Sequence, residues 1–381
     1  MLVADNATLE HLVREVTAAD AYAFDTEFHS EGSYYPKLAL IQLAIPGRIA
    51  VIDATRFDLR LLQPLFAGPG VAVTHAGGQD FDIIDRACGA RPSRILDTQV
   101  AAGFLGFRSA ALATLVAELL GRRMDKGPQM SDWFARPLSA EQIAYAGADV
   151  AHLLELRAVL EARLADLGRL EWAIEECQRL ATPRVPDDAT AWWRLKGGGR
   201  LKGSARGPAQ ELAAWRERAA RAADRPAPRI LPDEVVVLLA ERPPRSAADL
   251  PSSRLFDARK VPAATVRELI AAAARGAALA PGDIRLPPDR LPPHLQGLAG
   301  LIAAWVQQRA RDLSIDPALL ATGREIEAFL QNEADGRLRQ GWRAEAVGAD
   351  AGRIASGRAA VAYNGDSALV LVNADQPVAL S

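Results

Sequence analysis

The sequence is poor in cysteine and has no long apolar run. Its 381 residues include only two cysteines, Cys88 and Cys177, and these have neither metal-ligand nor Cys-x-x-Cys spacing. A structural disulfide is therefore not expected, which fits a reducing compartment. The first ten residues lack a basic stretch followed by an apolar core, and no run approaches the roughly 18 apolar residues of a membrane span. We expect a soluble cytoplasmic protein that does not contact membranes.

The chain also lacks a global excess of positive charge, because 45 basic residues face 47 acidic ones for a formal charge of −2. Basic residues are instead concentrated locally. Residues 191–206 contain no acid, two tryptophans and five basic residues: Trp192, Trp193, Arg194, Lys196, Arg200, Lys202 and Arg206. This composition suits phosphate contact and base stacking. The alternative, a linker whose tryptophans pack on a neighbouring domain, stays open.

The order of apolar segments predicts an α/β domain followed by helical domains. Short β-like runs come first, in a mixed sheet with helices packed on it, and helical patterns dominate afterwards. Prolines and a run of three glycines interrupt the pattern near residues 183–207. Near the end, Asn364-Gly365 between two β-rich runs predicts a hairpin. We therefore divide the chain into residues 1–182, a linker at 183–207, and helical domains at 208–285 and 286–381.

Asp25 and Glu27 stand two residues apart at the end of the first apolar strand. Residues i and i+2 of a strand point to the same face, so the two carboxylates project side by side. Like charges this close repel unless they are protonated or bridged by cations. Taken alone, the pair is more typical of a solvated strand edge.

Other carboxylates change that interpretation. Asp80 lies in the first turn of a helix that follows a strand, and Tyr145 and Asp149 are spaced i and i+4 on a later helix. Four carboxylates that converge can hold two divalent cations, and oxygen ligands alone favour magnesium or manganese over zinc. Such a site promotes in-line phosphoryl displacement. Tyr145, one turn from Asp149, is placed to orient the attacking water.

These motifs resemble the ribonuclease D family of the DEDD exonuclease superfamily, in the branch with a tyrosine in the third motif. The resemblance covers about residues 1–180 and rests on five segments: Phe24–Phe28, Tyr34–Gln42, His75–Asp80, Asp125-Lys126 with Ser131–Leu138, and Tyr145–Asp149. One departure is Gly127-Pro128, which replaces polar residues usual in the family.

The resemblance implies an RNase H-like fold and 3′→5′ hydrolysis that releases nucleoside 5′-monophosphates. It implies two Mg²⁺ or Mn²⁺ ions, with Asp25 bridging both, Glu27 and Asp149 completing one site, and Asp80 supporting the other. Glu27 would also lie near the terminal 3′-hydroxyl. The residues expected to contact the terminal nucleotides are Thr26, Phe28, Gln42 and His75. For His75, a purely structural hydrogen bond is an equal alternative.

The later helices resemble HRDC domains, the small helical modules shared by ribonuclease D and RecQ-type helicases, over residues 208–285 and again over 290–345. The resemblance implies an auxiliary nucleic-acid-binding role, with scaffolding as an alternative. The whole chain is thus expected to trim 3′ ends of structured RNA, such as tRNA precursors, as a monomer without an organic cofactor. Two alternatives remain, a 3′→5′ DNA exonuclease and a non-catalytic nucleic-acid-binding scaffold.

Overall fold

A computed structural model describes residues 1–124, 132–183, 185–250, 256–333 and 336–374. Of the segments discussed above, Asp125-Lys126, Gly127-Pro128 and Ser131 lie outside these ranges. The described chain forms two compact units. The first contains the described residues within 1–27, 38–183 and 290–381, and the second contains those within 28–37 and 184–289.

The described strands are β1 (Ala21–His29), β2 (Lys37–Ile45), β3 (Arg48–Asp53), β4 (Val71–Thr74), β5 (Ile95–Asp97), β6 (Ala359–Tyr363) and β7 (Leu369–Asn373). The α-helices are α1 (Asn6–Thr17), α2 (Gln63–Phe66), α3 (Gly78–Cys88), α4 (Thr98–Gly103), α5 (Leu112–Leu120), α6 (Ala140–Ala151), α7 (Leu153–Asp166), α8 (Leu170–Gln178), α9 (Arg206–Ala223), α10 (Ala227–Ile230), α11 (Asp233–Glu241), α12 (Ala263–Ala278), α13 (Pro293–Leu313), α14 (Pro317–Leu320), α15 (Gly323–Leu330), α16 (Gly341–Arg343) and α17 (Ala349–Ala355). Short 3₁₀ helices span Leu59–Leu62, Arg179–Ala181, Asp188–Arg194, Gly198–Arg200, Gly203–Ala205, Ala247–Asp249, Ala258–Lys260, Pro281–Asp283 and Arg337–Arg339, and a π-helix spans Ala344–Gly348.

The first unit is built on a five-stranded mixed sheet with the order β3-β2-β1-β4-β5. Strands β2 and β3 are antiparallel, whereas β1, β4 and β5 are parallel. Alternate side chains of β1 point to opposite faces. Phe24 packs against Phe81 of α3 with ring centroids 5.3 Å apart, whereas Ala23 joins a cluster with Val150 and Leu153 of α6 and α7. The predicted α/β class, a mixed sheet flanked by helices, is confirmed.

The C-terminal helices share a core with the sheet domain. Trp342 lies between Phe104, at a centroid distance of 4.9 Å, and Trp172, at 5.4 Å. Glu176 of α8 accepts hydrogen bonds from Arg337 at 2.5 Å and from Arg343 at 2.7 Å. The described helices after residue 290 are therefore part of the same folded body as the five-stranded sheet.

The second unit packs α9 against α11 and α12 around one apolar cluster. Trp192, Leu195 and Leu201, from the segment predicted as a linker, belong to this cluster. The same segment forms short 3₁₀ helices at Asp188–Arg194 and Gly198–Arg200. The indole N–H groups of Trp192 and Trp193 both donate to the carbonyl of Arg285, at 3.0 and 2.9 Å. These contacts match the packing alternative for the tryptophans.

The predicted terminal hairpin is present as β6 and β7, with Tyr363 paired to Leu369. The Asn364 side-chain oxygen accepts hydrogen bonds from the N–H groups of residues 366, 367 and 368, at 3.0 to 3.1 Å, which fixes the turn. Among the residues that the structure describes, no helix has the length and apolarity needed to cross a membrane.

Candidate active site

The carboxylate-bearing half of β1 extends beyond its parallel neighbour. The β1–β4 register runs from Ala21 opposite Val71 to Ala23 opposite Val73, and β4 ends at Thr74. Asp25 and Glu27 follow on the face of the sheet that carries Ala23. They therefore stand at the carboxyl edge of the sheet, where ligands of open α/β sheets usually bind.

A sharp turn after β4 places Asp80 at the same edge. Ala76 has a φ of 57°, and a Cβ atom on Gly77 would lie 2.5 Å from the Thr74 side chain, so the turn requires glycine there. Helix α3 begins at Gly78 and carries Asp80 in its first turn, where the helix dipole favours a negative charge. The Asp80 carboxylate is buried and accepts a hydrogen bond from the Thr26 hydroxyl.

Helix α6 supplies the remaining residues. A capping box starts it: the Ser139 hydroxyl accepts from the Gln142 N–H at 3.1 Å, and the Gln142 side chain accepts from the Ser139 N–H at 2.9 Å. Tyr145 and Asp149 then lie one turn apart on the same face. One carboxylate oxygen each of Asp25, Glu27 and Asp149 lie within 4.8 Å of one another.

The electrostatics of this cluster favour binding of a cation. Burial, followed by the charges of Asp80, Asp149 and Glu27, raises the pKa of Asp25 well above its usual value. Burial, followed by the charges of Asp149 and Asp80, raises the pKa of Glu27 to about 8. Burial raises the pKa of Asp149 to about 6. Burial also raises the pKa of Asp80. A hard divalent cation relieves this repulsion with the oxygen ligands it prefers, so the residues fit divalent metal binding.

Tyr145 keeps its proton in this environment. Burial, followed by the charges of Asp149, Glu27 and Asp25, raises its pKa to about 12. The phenol is therefore a hydrogen-bond donor at neutral pH, and its oxygen can also accept.

Trp133, a residue without a predicted role, contacts the tyrosine. The Trp133 ring stacks on the Tyr145 ring at a centroid distance of 6.0 Å and an interplanar angle of 28°. Arg136, three residues later, makes two hydrogen bonds of 2.6 Å to the carboxylate of Asp53 at the end of β3. The motif that contains Arg136 could be recognised in the sequence, but its pairing with Asp53, 83 residues earlier, could not.

Asp97, at the end of β5, joins two elements near the site. Its two carboxylate oxygens accept from the N–H groups of Ala76 and Gly77, each at 3.0 Å, and also cap α4 through Gln99 at 2.8 Å. Asp97 thereby holds the turn that leads to Asp80.

The four predicted substrate contacts lie in different environments. Thr26 is buried with its hydroxyl on Asp80, and Phe28 is half-buried near the end of β1. Gln42 is fully buried, and neither atom of its amide has a hydrogen-bond partner among the described residues. His75 is half-buried, with Nδ1 3.0 Å from the Thr98 hydroxyl, and burial lowers its pKa. Their contact with a nucleotide stays a prediction.

Matches to family models define the class of protein. Residues 1–165 match a family model described as a 3′-5′ exonuclease, and residues 207–272 match the HRDC domain. Together with the mixed sheet and the acidic cluster at its edge, these matches define a 3′-5′ exonuclease that uses divalent metal and carries an HRDC domain.

Relatives that match along nearly the full length identify the family. Ribonuclease D of Acidiphilium cryptum is 37% identical over 96% of this chain and 95% of its own, and that of Zymomonas mobilis is 35% identical over 97% and 98%. The crystal structure of Escherichia coli RNase D, described as an exoribonuclease involved in structured RNA processing, superposes with a TM-score of 0.80 at 27% identity, over 93% of this chain and 98% of that one. The chain belongs to the ribonuclease D family. It is a 3′→5′ exoribonuclease.

The raised carboxyl pKa values predict how the metal-free protein responds to pH. Between about pH 4 and pH 8 the folded cluster keeps protons that the unfolded chain releases, so the free energy of unfolding falls as pH rises. The melting temperature measured in EDTA should therefore be lower at pH 8 than at pH 5, by more in the wild type than in Asp25→Asn. Magnesium should stabilise the wild type more at pH 8. A pH dependence identical in both proteins would contradict the repulsion described here.

Proposed function

We propose that Asp25, Glu27, Asp80 and Asp149 hold two divalent cations, Mg²⁺ or Mn²⁺, and that Tyr145 orients the water that attacks the terminal phosphodiester. Two such cations stabilise both the attacking and the leaving oxygen of the displacement. The observation that carries this proposal is the convergence of the Asp25, Glu27 and Asp149 oxygens within 4.8 Å.

The environments of the carboxylates support distinct roles. Asp25 is repelled by all three of the others, which suits a ligand shared between the two cations. Glu27 and Asp149 complete one site with it, while Asp80, held by Thr26, supports the second. Tyr145 lies one turn from Asp149, and its phenol stays protonated. Because that phenol can both donate and accept a hydrogen bond, it is suited to hold a water molecule in one orientation.

The substrate proposal is structured RNA with a free 3′ end, such as a tRNA precursor, processed by a monomer in the cytoplasm. It is supported by the Escherichia coli relative, which is described as acting in structured RNA processing. Each cycle releases one nucleoside 5′-monophosphate, and Thr26, Phe28, Gln42 and His75 are proposed to lie around the terminal nucleotides.

A cluster of carboxylates that binds metal can serve the hydrolysis of RNA or of DNA. The preferred polymer is therefore tested directly. Matched RNA and DNA oligonucleotides of one sequence, labelled at the 5′ end, are incubated side by side with magnesium. RNA should shorten stepwise and faster than DNA. Faster shortening of DNA would contradict the proposed substrate, and binding of both without shortening would favour a scaffold.

The basic residues of the segment predicted as a linker are proposed to bind RNA phosphates. The basic residues Arg194, Lys196, Arg200 and Lys202 are exposed. Arg194 and Arg200 end 3₁₀ helices, the lysines follow them in the chain, and Trp192 of the same segment is buried in the core. The affinity for single-stranded RNA falls with salt because each bound phosphate releases counterions. Each phosphate that a variant no longer neutralises should reduce the slope of log K against log salt concentration by about 0.7.

We expect the double substitution Arg194→Gln with Lys196→Gln to weaken RNA binding and flatten its salt dependence. The measurement is the dissociation constant at several salt concentrations. Arg14→Gln with Arg163→Gln removes the same charge from exposed positions of the first unit and serves as the control. Equal effects of the two double variants would mean that total charge, not this segment, matters.

A further inference from the structure

The loop that follows the carboxylate-bearing strand is held by the HRDC-containing unit. Residues 28–37 connect β1, which carries Asp25 and Glu27, to β2, and they group with residues 184–289 as one compact unit. Strand β1 ends at His29, so Glu27 and its neighbour Phe28 lead directly into the loop. The position of the loop is therefore relevant to the position of Glu27 and Phe28.

Asp224 holds the backbone of this loop. Its Oδ1 atom accepts hydrogen bonds from the N–H groups of Tyr34 and Tyr35, both at 3.1 Å. Asp224 is the residue that ends α9, and its φ of 44° lies in the left-handed region. The end of an HRDC helix is thus shaped so that one carboxylate receives two amides that are about 190 residues away in sequence.

Glu217, two turns earlier on α9, holds the side chain of Tyr34 in the same loop. The Tyr34 hydroxyl donates to Glu217 Oε2 at 2.8 Å, and Glu217 is buried. The Arg221 guanidinium lies 6.0 Å from the centre of the Tyr34 ring and is itself paired with Asp188, its Nη1 donating at 2.8 Å. Two hydrogen bonds to the backbone and one to the side chain fix both the path and the orientation of the loop.

We propose that Asp224 and Glu217 are positioning residues for the nuclease site, acting through the loop at residues 28–37. The HRDC unit then contributes to turnover on any RNA, including one too short to bind elsewhere on the protein. The inference rests on the proposed metal-binding role of Glu27. A misplacement of about 1 Å at reacting groups can cost on the order of 100-fold in rate, so a loosened loop has a measurable effect.

The φ of Asp224 allows a variant that removes the contact without disturbing the helix. Asp224→Gly deletes the acceptor, and glycine is the residue most favoured at a left-handed helix end. Asp224→Asn keeps an oxygen acceptor and tolerates the same conformation. Tyr34→Phe separately removes the bond to Glu217. The control is Asp249→Ala in the same unit, where Asp249 Oδ2 accepts from the N–H groups of Arg245 and Ser246 in its own turn, at 2.9 and 2.8 Å.

Two measurements on the full-length protein test the proposal. Hydrogen–deuterium exchange reports the amides of Tyr34 and Tyr35, and kcat and KM are measured on an RNA of about five nucleotides. We expect Asp224→Gly to accelerate exchange at these amides and to lower kcat/KM by tenfold or more at unchanged melting temperature. Asp224→Asn should recover most of the activity, Tyr34→Phe should give a smaller loss, and Asp249→Ala should match the wild type.

Each unexpected result would contradict a different part of the proposal. Unchanged exchange in Asp224→Gly would show that the hydrogen bonds do not hold the loop. Faster exchange with wild-type kcat/KM would overturn the positioning role. A wild-type protein that degrades no RNA would refute the proposed function instead, and the exchange result would still report on the loop.

Discussion

Replacing Asp25 with asparagine is expected to lower the rate of RNA hydrolysis by about 1,000-fold or more while the protein stays folded. Asparagine has the same size but carries no charge, so it is a poor bridge between two divalent cations. Loss of several kcal/mol of metal-dependent stabilisation corresponds to about three powers of ten in rate. The measurement is single-turnover release of nucleotides in saturating magnesium.

The matched control is Asp20→Asn, an exposed aspartate one residue before β1. Its activity should equal that of the wild type. Burial and the neighbouring carboxylates disfavour the charged form of Asp25, which the unfolded chain adopts freely at pH 8. Asp25→Asn should therefore also melt at a higher temperature than the wild type in EDTA at pH 8. Near-normal turnover by Asp25→Asn would contradict the assignment of Asp25 as the shared ligand.

Removing residues 290–381 is expected to unfold the nuclease domain rather than only weaken RNA binding. The C-terminal helices contribute Ile302, Trp305 and Trp342 to the same buried cluster as the sheet domain. Without them Phe104 is exposed, and Glu176 loses both arginine partners. An apolar face of this size exposed to water costs several kcal/mol, which is comparable to the total stability of a domain. Thermal unfolding of residues 1–289 should lack a cooperative transition.

A single substitution tests the shared core in the intact chain. Trp342→Ala should destabilise the protein by about 3–5 kcal/mol in urea unfolding, because the side chain is buried between two aromatic rings. Tyr363→Ala, at a side chain that is 62% exposed on the terminal hairpin, should change stability by less than about 0.5 kcal/mol. A cooperative, active 1–289 fragment would show that the C-terminal helices are an independent module.

The acidic cluster could be predicted because local spacing carries much of the information. The i, i+2 spacing of Asp25 and Glu27 and the i, i+4 spacing of Tyr145 and Asp149 each determine a shared face. The family motifs then joined these pairs to Asp80. The strands of the sheet and the terminal hairpin were predictable for the same reason, since short apolar runs and the Asn364-Gly365 turn are local signals.

The supporting residues could not be predicted, because their roles depend on pairing across long sequence distances. Asp97 holds a turn 20 residues earlier, and Asp53 pairs with Arg136 from another element. The amphipathic pattern of a helix shows which face is buried but not what covers it. For this reason the sequence indicated two helical domains in series, whereas the later one shares its core with the sheet. The domain boundaries themselves stay a prediction.

The most direct test of the metal-dependent, 3′→5′ mechanism is the degradation of one 5′-labelled RNA with magnesium and with EDTA. With magnesium, the labelled strand should shorten by one nucleotide at a time while unlabelled nucleoside 5′-monophosphates accumulate. EDTA should stop the reaction, and excess magnesium should restart it. Shortening that continues in EDTA, or internal cleavage into oligonucleotides, would contradict the mechanism.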